Sequence, residues 1–180
     1  GNFSMSGPLK EGLAGLQVYG GFYNREEDLF VDGYEQKDLK NLNARLSLTP
    51  TENHDFSIEA STSVDERQSL MGRSAASTGC RGGCTDSFNE HTREAFSVQH
   101  TGRWGIGTSE TYLQRERAEN TTREMIITND NAKTSLLMPL GNHMLTVGAD
   151  FTKEKLRDDT SNRISERNKV ENSKWAFFVE

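Results

Sequence analysis

Two cysteines four positions apart are the residues whose type and spacing point most directly to chemistry. They lie in the segment Cys80-Arg81-Gly82-Gly83-Cys84 and are the only 2 cysteines among 180 residues. Such a pair can close a small disulfide ring in an oxidising compartment, supply half of a zinc site, or stay as free thiols. A structural zinc site needs four ligands, and the 4 histidines of the chain are not spaced to complete one. The glycines permit a tight turn, which favours a disulfide between Cys80 and Cys84.

The acidic residues give little support for catalysis. Adjacent carboxylates occur at Glu26 and Glu27 and again at Asp158 and Asp159, in charge-rich stretches that lack the apolar surroundings of a general acid or base. The sequence also contains no nucleophile elbow, no glycine loop that would cradle phosphate and no zinc-protease histidine motif. We therefore predict that the protein is not an enzyme.

Composition argues against two further classes of protein. The net charge is -6, opposite in sign to the basic stripe that nucleic-acid binding requires. The chain is 33% hydrophobic with a mean hydropathy of -0.75, and no run approaches the roughly 18 apolar residues of a membrane-spanning helix. A membrane β-barrel needs apolar residues only at alternate positions, so this composition is compatible with one.

Strict alternation of apolar and polar residues marks two strands. In residues 42–48 every even position is apolar and every odd position is polar, and after a turn the same parity resumes at Phe56 and Ile58. Because successive side chains of a strand point to opposite faces, these strands present one apolar and one polar face. The polar face carries Arg45 and Glu59, which suits a water-filled lumen better than the dry core of a sandwich.

Eight or nine strand-like segments follow one another, and the connections between them alternate in length. Turns of a few residues alternate with long, charged connections, of which the most extensive are predicted at 26–38, 66–90 and 153–172. Structureless loops of that length are usually functional. Up-and-down barrels of the bacterial outer membrane show this asymmetry, with short periplasmic turns and long extracellular loops.

Aromatic residues near the predicted strand ends are compatible with two architectures. In a membrane barrel, Tyr23, Phe96, Trp104 and Trp175 would sit in the girdles at the two interfaces. In the alternative, a soluble β-sandwich of the adhesin or carbohydrate-binding type, the same residues would belong to a core. Such a sandwich requires Greek-key connections or an apolar face in place of the polar one.

Local sequences resemble the early barrel of TonB-dependent catecholate siderophore receptors, the family of the colicin I receptor and the ferric enterobactin receptors. The likeness runs in order along essentially the whole chain. It is carried by Ser6-Gly7-Pro8-Leu9, Val18-Tyr19-Gly20, Asn24-Arg25-Glu26-Glu27-Asp28, the stretch 43–56, Ser97-Val98-Gln99-His100-Thr101-Gly102-Arg103-Trp104, Gly107-Thr108-Ser109-Glu110, Leu145-Thr146-Val147-Gly148-Ala149 and Ala176-Phe177-Phe178-Val179-Glu180.

The resemblance implies an all-β, antiparallel up-and-down transmembrane barrel in the bacterial outer membrane. Residues 1–180 would form part of the barrel domain, about eight strands of a barrel of about 22. On this interpretation the N-terminal plug domain and the C-terminal barrel strands are absent from the chain.

The resemblance also implies a cargo and partners. The cargo is a ferric catecholate siderophore, a bulky anion with aromatic rims, taken up with energy from the TonB complex acting on the plug; a colicin is a possible further partner. Iron is carried as cargo, so no cofactor and no resident metal site are expected. Cations on the extracellular loops would meet the charge, and the predicted loop 66–90 offers Arg67, Arg73 and Arg81. The lumen-facing Arg45 and Arg103 are expected to pair with carboxylates of the barrel wall.

Overall fold

The protein forms one antiparallel sheet in which the spatial order of the strands follows the chain. The computed structural model describes residues 1–81, 83–160 and 169–180. Each strand pairs with the next, and within these residues the sheet is not closed, so the first and last strands each leave one edge unpaired. The strands are β1 (Asn2–Lys10), β2 (Ala14–Arg25), β3 (Gln36–Thr51), β4 (His54–Ser69), β5 (Ser87–Trp104), β6 (Gly107–Asn120), β7 (Met125–Leu140), β8 (His143–Asp158) and β9 (Lys169–Val179).

The part of the chain that the structure describes contains no helix that is both long and apolar enough to span a membrane.

The register of the sheet aligns apolar side chains in a continuous row, since directly paired residues lie side by side on one face. Moving one residue along every strand gives a row on the opposite face, and that row is polar. We call these the apolar face and the polar face. The apolar row is Leu16, Leu46, Ile58, Val98, Leu113, Ala132, Phe151 and Trp175, and the polar row is Gln17, Arg45, Glu59, Ser97, Gln114, Asn131, Thr152 and Lys174.

The alternative of a β-sandwich with Greek-key connections is wrong for the described residues. A sandwich buries one face of each of two sheets against the other. Here there is one sheet with sequential strand order, and no hydrophobic side chain in the described stretches is buried. The apolar face is instead exposed, as on Phe96 and Trp175, which fits a surface that meets lipid.

Three of the four predicted girdle aromatics lie on the apolar face, but Tyr23 does not. Phe96 pairs with Ala60 on that face, whereas Tyr23 pairs with Leu39 in register with the polar rows. The assignment of Tyr23 to a girdle is therefore wrong. Alternation at the loop end of β2 is too weak to show the face of a single aromatic residue.

The strands are longer than their alternation predicted, so the loops are shorter. Strand β4 continues to Ser69 and β5 begins at Ser87, which reduces the predicted loop 66–90 to 70–86. Strand β8 continues to Asp158 and β9 begins at Lys169, so half of the predicted loop 153–172 is strand, and its residues 161–168 lie outside the described part. Backbone pairing continues here although the side chains no longer follow the alternation of the rest of the sheet.

The connection between β6 and β7 also differs from the prediction that every second connection is long. It comprises only residues 121–124, because β7 begins at Met125. The amide of Arg123 donates to the side-chain oxygen of Asn120 at 2.9 Å, and Glu124 adopts a positive φ of 53°. A polar stretch in the sequence therefore does not distinguish a compact turn from a long loop.

Toward the long loops, the pattern of the two faces inverts on β6 to β9. The apolar face here becomes charged, with the row Arg117, Thr128, Lys155 and Glu171, while the polar face carries the row Ala118, Ile127, Leu156 and Val170. We call residues 115–120, 125–130, 153–158 and 169–173 the loop-end extension. The part of the apolar face that lies nearer the short turns and carries apolar side chains is called the apolar belt.

Candidate functional site

Two long connections, residues 26–35 after β2 and 70–86 after β4, meet at the loop end of the sheet and form the candidate binding surface. The Glu27 side chain, only 4% exposed, joins them. Its Oε1 accepts hydrogen bonds from the amide of Leu70 at 2.5 Å and from the hydroxyl of Ser74 at 2.6 Å. The Nη1 atom of Arg73 lies 3.9 Å from its Oε2. We call this contact the Glu27 latch.

The environment of Glu27 keeps it ionised at neutral pH. Burial acts to raise the pKa of Glu27, but hydrogen bonds from Ser74 and Leu70 and the charge of Arg73 outweigh it, so the pKa lies below the ordinary value of 4.5. The bonds of the latch are therefore made to a charged carboxylate, which makes them stronger than neutral ones.

A second contact joins the same two loops through the backbone. The amide of Asp32 donates to the carbonyl oxygen of Ser74 at 3.1 Å, and Ser74 itself is only 8% exposed. Asp32 adopts a positive φ of 65°, a conformation that aspartate tolerates better than most residues. Ser74 is thus held by the first loop through its amide, its hydroxyl and its carbonyl group.

The loop 70–86 also contains a covalent ring. Cys80 and Cys84 are joined by a disulfide, with their Cα atoms 5.2 Å apart. Gly83 has a φ of 98°, in the left-handed region that favours glycine. Gly82, the other glycine expected to permit the turn, lies outside the described residues. The ring contains Arg81, so it restricts the backbone of one predicted ligand.

The three predicted ligand arginines occupy different local environments. Arg67 belongs to strand β4 rather than to the loop, and its guanidinium lies 2.9 Å from Asp65 and 3.3 Å from Glu35. Arg73 faces the Glu27 carboxylate, and Arg81 lies in the disulfide ring. Arg67 and Arg73 therefore have carboxylate partners within this chain.

Below the loops, the polar face forms a wall with a small cavity. The cavity has a volume of about 130 Å³, and Tyr19, Arg45, Glu59 and Tyr112 contribute to its lining. Arg45 lies 2.6 Å from Glu59, as predicted for a wall arginine. In the same way, Arg103 and Asp55 are 2.6 Å apart at the turn end. These pairs neutralise the wall locally and leave it hydrophilic.

Sequence reasoning missed the role of Glu27. It stands beside Glu26 in a run of acids, and no motif distinguishes the two. The distinction comes from a partner 47 positions away in the chain, Ser74. In the described stretches, no group of three histidine, cysteine or acidic residues is arranged to hold a metal ion.

Comparison with known proteins gives a consistent set of relatives. No protein-family model matches the chain. It is 42% identical over 180 residues to the iron-regulated outer membrane virulence protein of Vibrio cholerae serotype O1, a match that covers 99% of this chain and 28% of that protein. The chain therefore spans less than a third of the length of this curated relative.

Solved structures agree with the observed sheet. The siderophore receptor PirA from Pseudomonas aeruginosa matches with a TM-score of 0.73 and 26% identity, covering 99% of this chain and 29% of that one. A ferric enterobactin receptor from the same organism matches with a TM-score of 0.77 at 20% identity, over 99% of this chain and 33% of that one, a likeness of fold alone.

The predicted fold class is confirmed: the sheet matches barrel segments of siderophore receptors. The predicted location is confirmed as well, and the protein resides in the bacterial outer membrane. PirA is a receptor rather than an enzyme, which is consistent with the prediction that this chain is not an enzyme.

Proposed function

We propose that this outer-membrane chain forms part of the barrel of a TonB-dependent receptor that takes up ferric catecholate siderophores. The observation that carries the proposal is its 42% identity, over 99% of the chain, to a protein named for its regulation by iron. A siderophore receptor and a ferric enterobactin receptor share its fold, and a structure of the latter is a complex with enterobactin. The catecholate class is supported by these neighbours and by the local sequences quoted above.

The loop end offers the chemistry that a ferric catecholate requires. Arg67, Arg73 and Arg81 supply positive charge. Arg67 would exchange its part-exposed partner Glu35 for the anionic cargo, and the half-exposed guanidinium of Arg73 would meet the cargo while it stays beside Glu27. Aromatic surface for the catechol rings is present in the loop 26–35, where Tyr34 is 68% exposed and lies under the guanidinium of Arg25 at 4.7 Å.

The partners follow from the same proposal. The TonB complex would supply energy through a plug domain, and the polar face would line the passage that the plug fills. A colicin is proposed as a second partner of the extracellular loops, on the resemblance to the colicin I receptor alone.

The proposal is tested with the complete membrane-embedded protein and its triple variant R67A/R73A/R81A. We expect ferric catecholate binding to weaken at least about tenfold, with a smaller dependence on salt, because charge-assisted contacts are lost. The matched control K153Q/K155Q/K169Q removes three cations from the opposite face and should leave the titration unchanged.

Two results would contradict the proposal at different levels. Equal affinity and equal salt dependence of the triple variant would exclude these arginines from the site. Normal growth on ferric catecholates, under iron limitation, of cells that lack the protein and have no other such receptor would exclude the function itself.

A further inference from the structure

The outward side of the loop-end extension concentrates positive charge on the face opposite the polar face that would line the passage. On this side, β6 to β9 carry the cations Arg115, Arg117, Lys153, Lys155, Arg157 and Lys169 against the carboxylates Glu119, Asp130 and Glu171. At comparable positions β3 to β5 carry the opposite balance, Lys40 against Asp38, Glu66, Glu90 and Glu94. Since the whole chain is acidic, this positive patch is a local feature.

The patch begins where the apolar belt ends. Phe151 and Trp175 close the belt on β8 and β9, with ring centroids 4.4 Å apart. Lys153 follows Phe151 by two residues on the same face, which corresponds to about 7 Å at roughly 3.3 Å per residue. Aromatic side chains of membrane proteins sit at the level of the lipid head groups. The cations therefore lie at the height of the head groups or just above them.

The patch contains a cavity rather than a flat surface. It has a volume of about 350 Å³, and its lining includes the outward-facing cations Lys155, Arg157 and Lys169 and the outward-facing apolar residue Ile126. Glu171 also lines it, 3.7 Å from the Nζ atom of Lys155.

The internal ion pairs of the cavity leave it able to accept an anion. Arg157 lies 2.7 Å from Asp159, and both partners are part-exposed. Exposed pairs of this kind contribute about 1 kcal/mol or less, so an anion with two or more charges can displace them.

We propose that this cavity binds phosphate groups of the lipids in the outer leaflet of the membrane. A lipid satisfies both parts of the lining, since its phosphate meets the cations and its less polar part meets the outward-facing Ile126. The cavity opens on the side of the sheet that faces lipid, away from the polar face and its passage. The proposal depends on the location in the outer membrane and is independent of which siderophore the protein takes up.

The test compares two triple variants of the complete protein, extracted from outer membranes in mild detergent. In K155Q/R157Q/K169Q the lipid phosphate that co-purifies, measured by phosphorus assay and native mass spectrometry, should fall about tenfold, because each cation near a membrane surface strengthens binding several-fold. The control K37Q/K133Q/K174Q removes the same charge from the polar face and should retain the lipid.

A second arm uses vesicles of phosphatidylcholine, a zwitterion whose choline balances its phosphate, with and without added lipid A, whose phosphate groups give it a net negative charge. Protection of Lys155 and Lys169 from amine-reactive reagent should appear only with lipid A and should survive millimolar inorganic phosphate. Equal lipid retention by both variants, or protection by inorganic phosphate alone, would overturn the proposal. Siderophore binding is titrated on the same samples, so that a loss of lipid binding can be distinguished from a loss of the proposed cargo binding.

Discussion

The apolar belt and the loop-end extension are built from the same strands but place their side chains by opposite rules. In the belt, Ile58 points outward and Glu59 inward, whereas in the extension Lys155 points outward and Leu156 inward. Pairing is continuous between them, so the medium outside the sheet sets the pattern: lipid chains beside the belt, and head groups and water beside the extension. The point of inversion therefore marks the membrane boundary on β6 to β9.

The membrane boundary does not follow a single row of directly paired residues across the sheet. On β3 the apolar residues of the apolar face continue toward the long loops as far as Leu42, four residues past Leu46. On β7 and β8 charged residues begin only two residues past the row that contains Leu46, at Asp130 and Lys153. Barrel strands tilt by roughly 35–45° from the membrane normal, so a row perpendicular to the strands crosses the membrane at an angle. The uneven boundary is what a tilted sheet requires.

The largest effect is expected from a charge placed in the belt. Ile58→Lys should destabilise the protein by about 2–4 kcal/mol in refolding titrations into bilayers, since lysine must be accommodated among lipid chains. The neighbouring Ser57→Lys adds the same side chain on the polar face, opposite Ser47 and Gln99, and should change stability little. Equal losses for both variants would show that the two faces are wrongly assigned.

The disulfide should matter less, and only in the loops. Replacing Cys80 and Cys84 by serine should cost at most about 2 kcal/mol, because so short a ring removes little chain entropy. The loss should appear as faster amide exchange in residues 70–86 without a shift in the unfolding of the belt. Mass spectrometry of the unreduced protein that finds two free thiols would contradict the assignment.

In the extension the rule for faces should reverse. Ile127→Lys, directed inward beside Leu156, should cost about 1 kcal/mol, while Thr128→Lys, directed outward into water, should stay within about 0.5 kcal/mol. Chemical denaturation of the bilayer-embedded variants measures both. If the outward lysine were the costly one, the membrane would extend past these residues and the proposed boundary would be too low.

The smallest effect is expected at the Glu27 latch and depends on pH. Because folding lowers the pKa of Glu27, its contribution is present above the ordinary carboxyl value of 4.5 and is lost as the pH falls through the lower folded value. Protection of the amides of Leu70 and Ser74, corrected for intrinsic exchange, should fall over that acidic range. Glu27→Gln should lower the protection of these two amides already at pH 7. The adjacent Glu26→Gln serves as the control and should leave that protection unchanged.

Sequence alone was sufficient where lipid forces one residue type onto one face. The alternation at residues 42–48 and at Phe56 and Ile58 gave two strands and their faces correctly. It failed toward the long loops, because the strand ends at Ser69 and Ser87 lie in largely polar stretches and because the pattern of the two faces inverts in the extension. Backbone hydrogen bonds hold those segments, and they leave no mark on side-chain composition.

The loop site was less predictable for a different reason. The cysteine pair is a local feature and could be interpreted from its spacing and glycines. The environment of Arg73 and Glu27 depends on two loops meeting across more than forty residues of chain, and no local pattern encodes that meeting. Arg67 was placed in a loop because its strand is polar on both sides at that height.

The sequential order of the strands makes the sheet a one-dimensional array. In the described residues every contact between strands joins neighbours in the chain, so each hairpin carries its own register and depends on no distant segment. Assembly can therefore proceed by adding strands at an edge, with short loop closures and low contact order. As in linear repeat proteins, a hairpin could be gained or lost at such an edge without changing the pairing of the others.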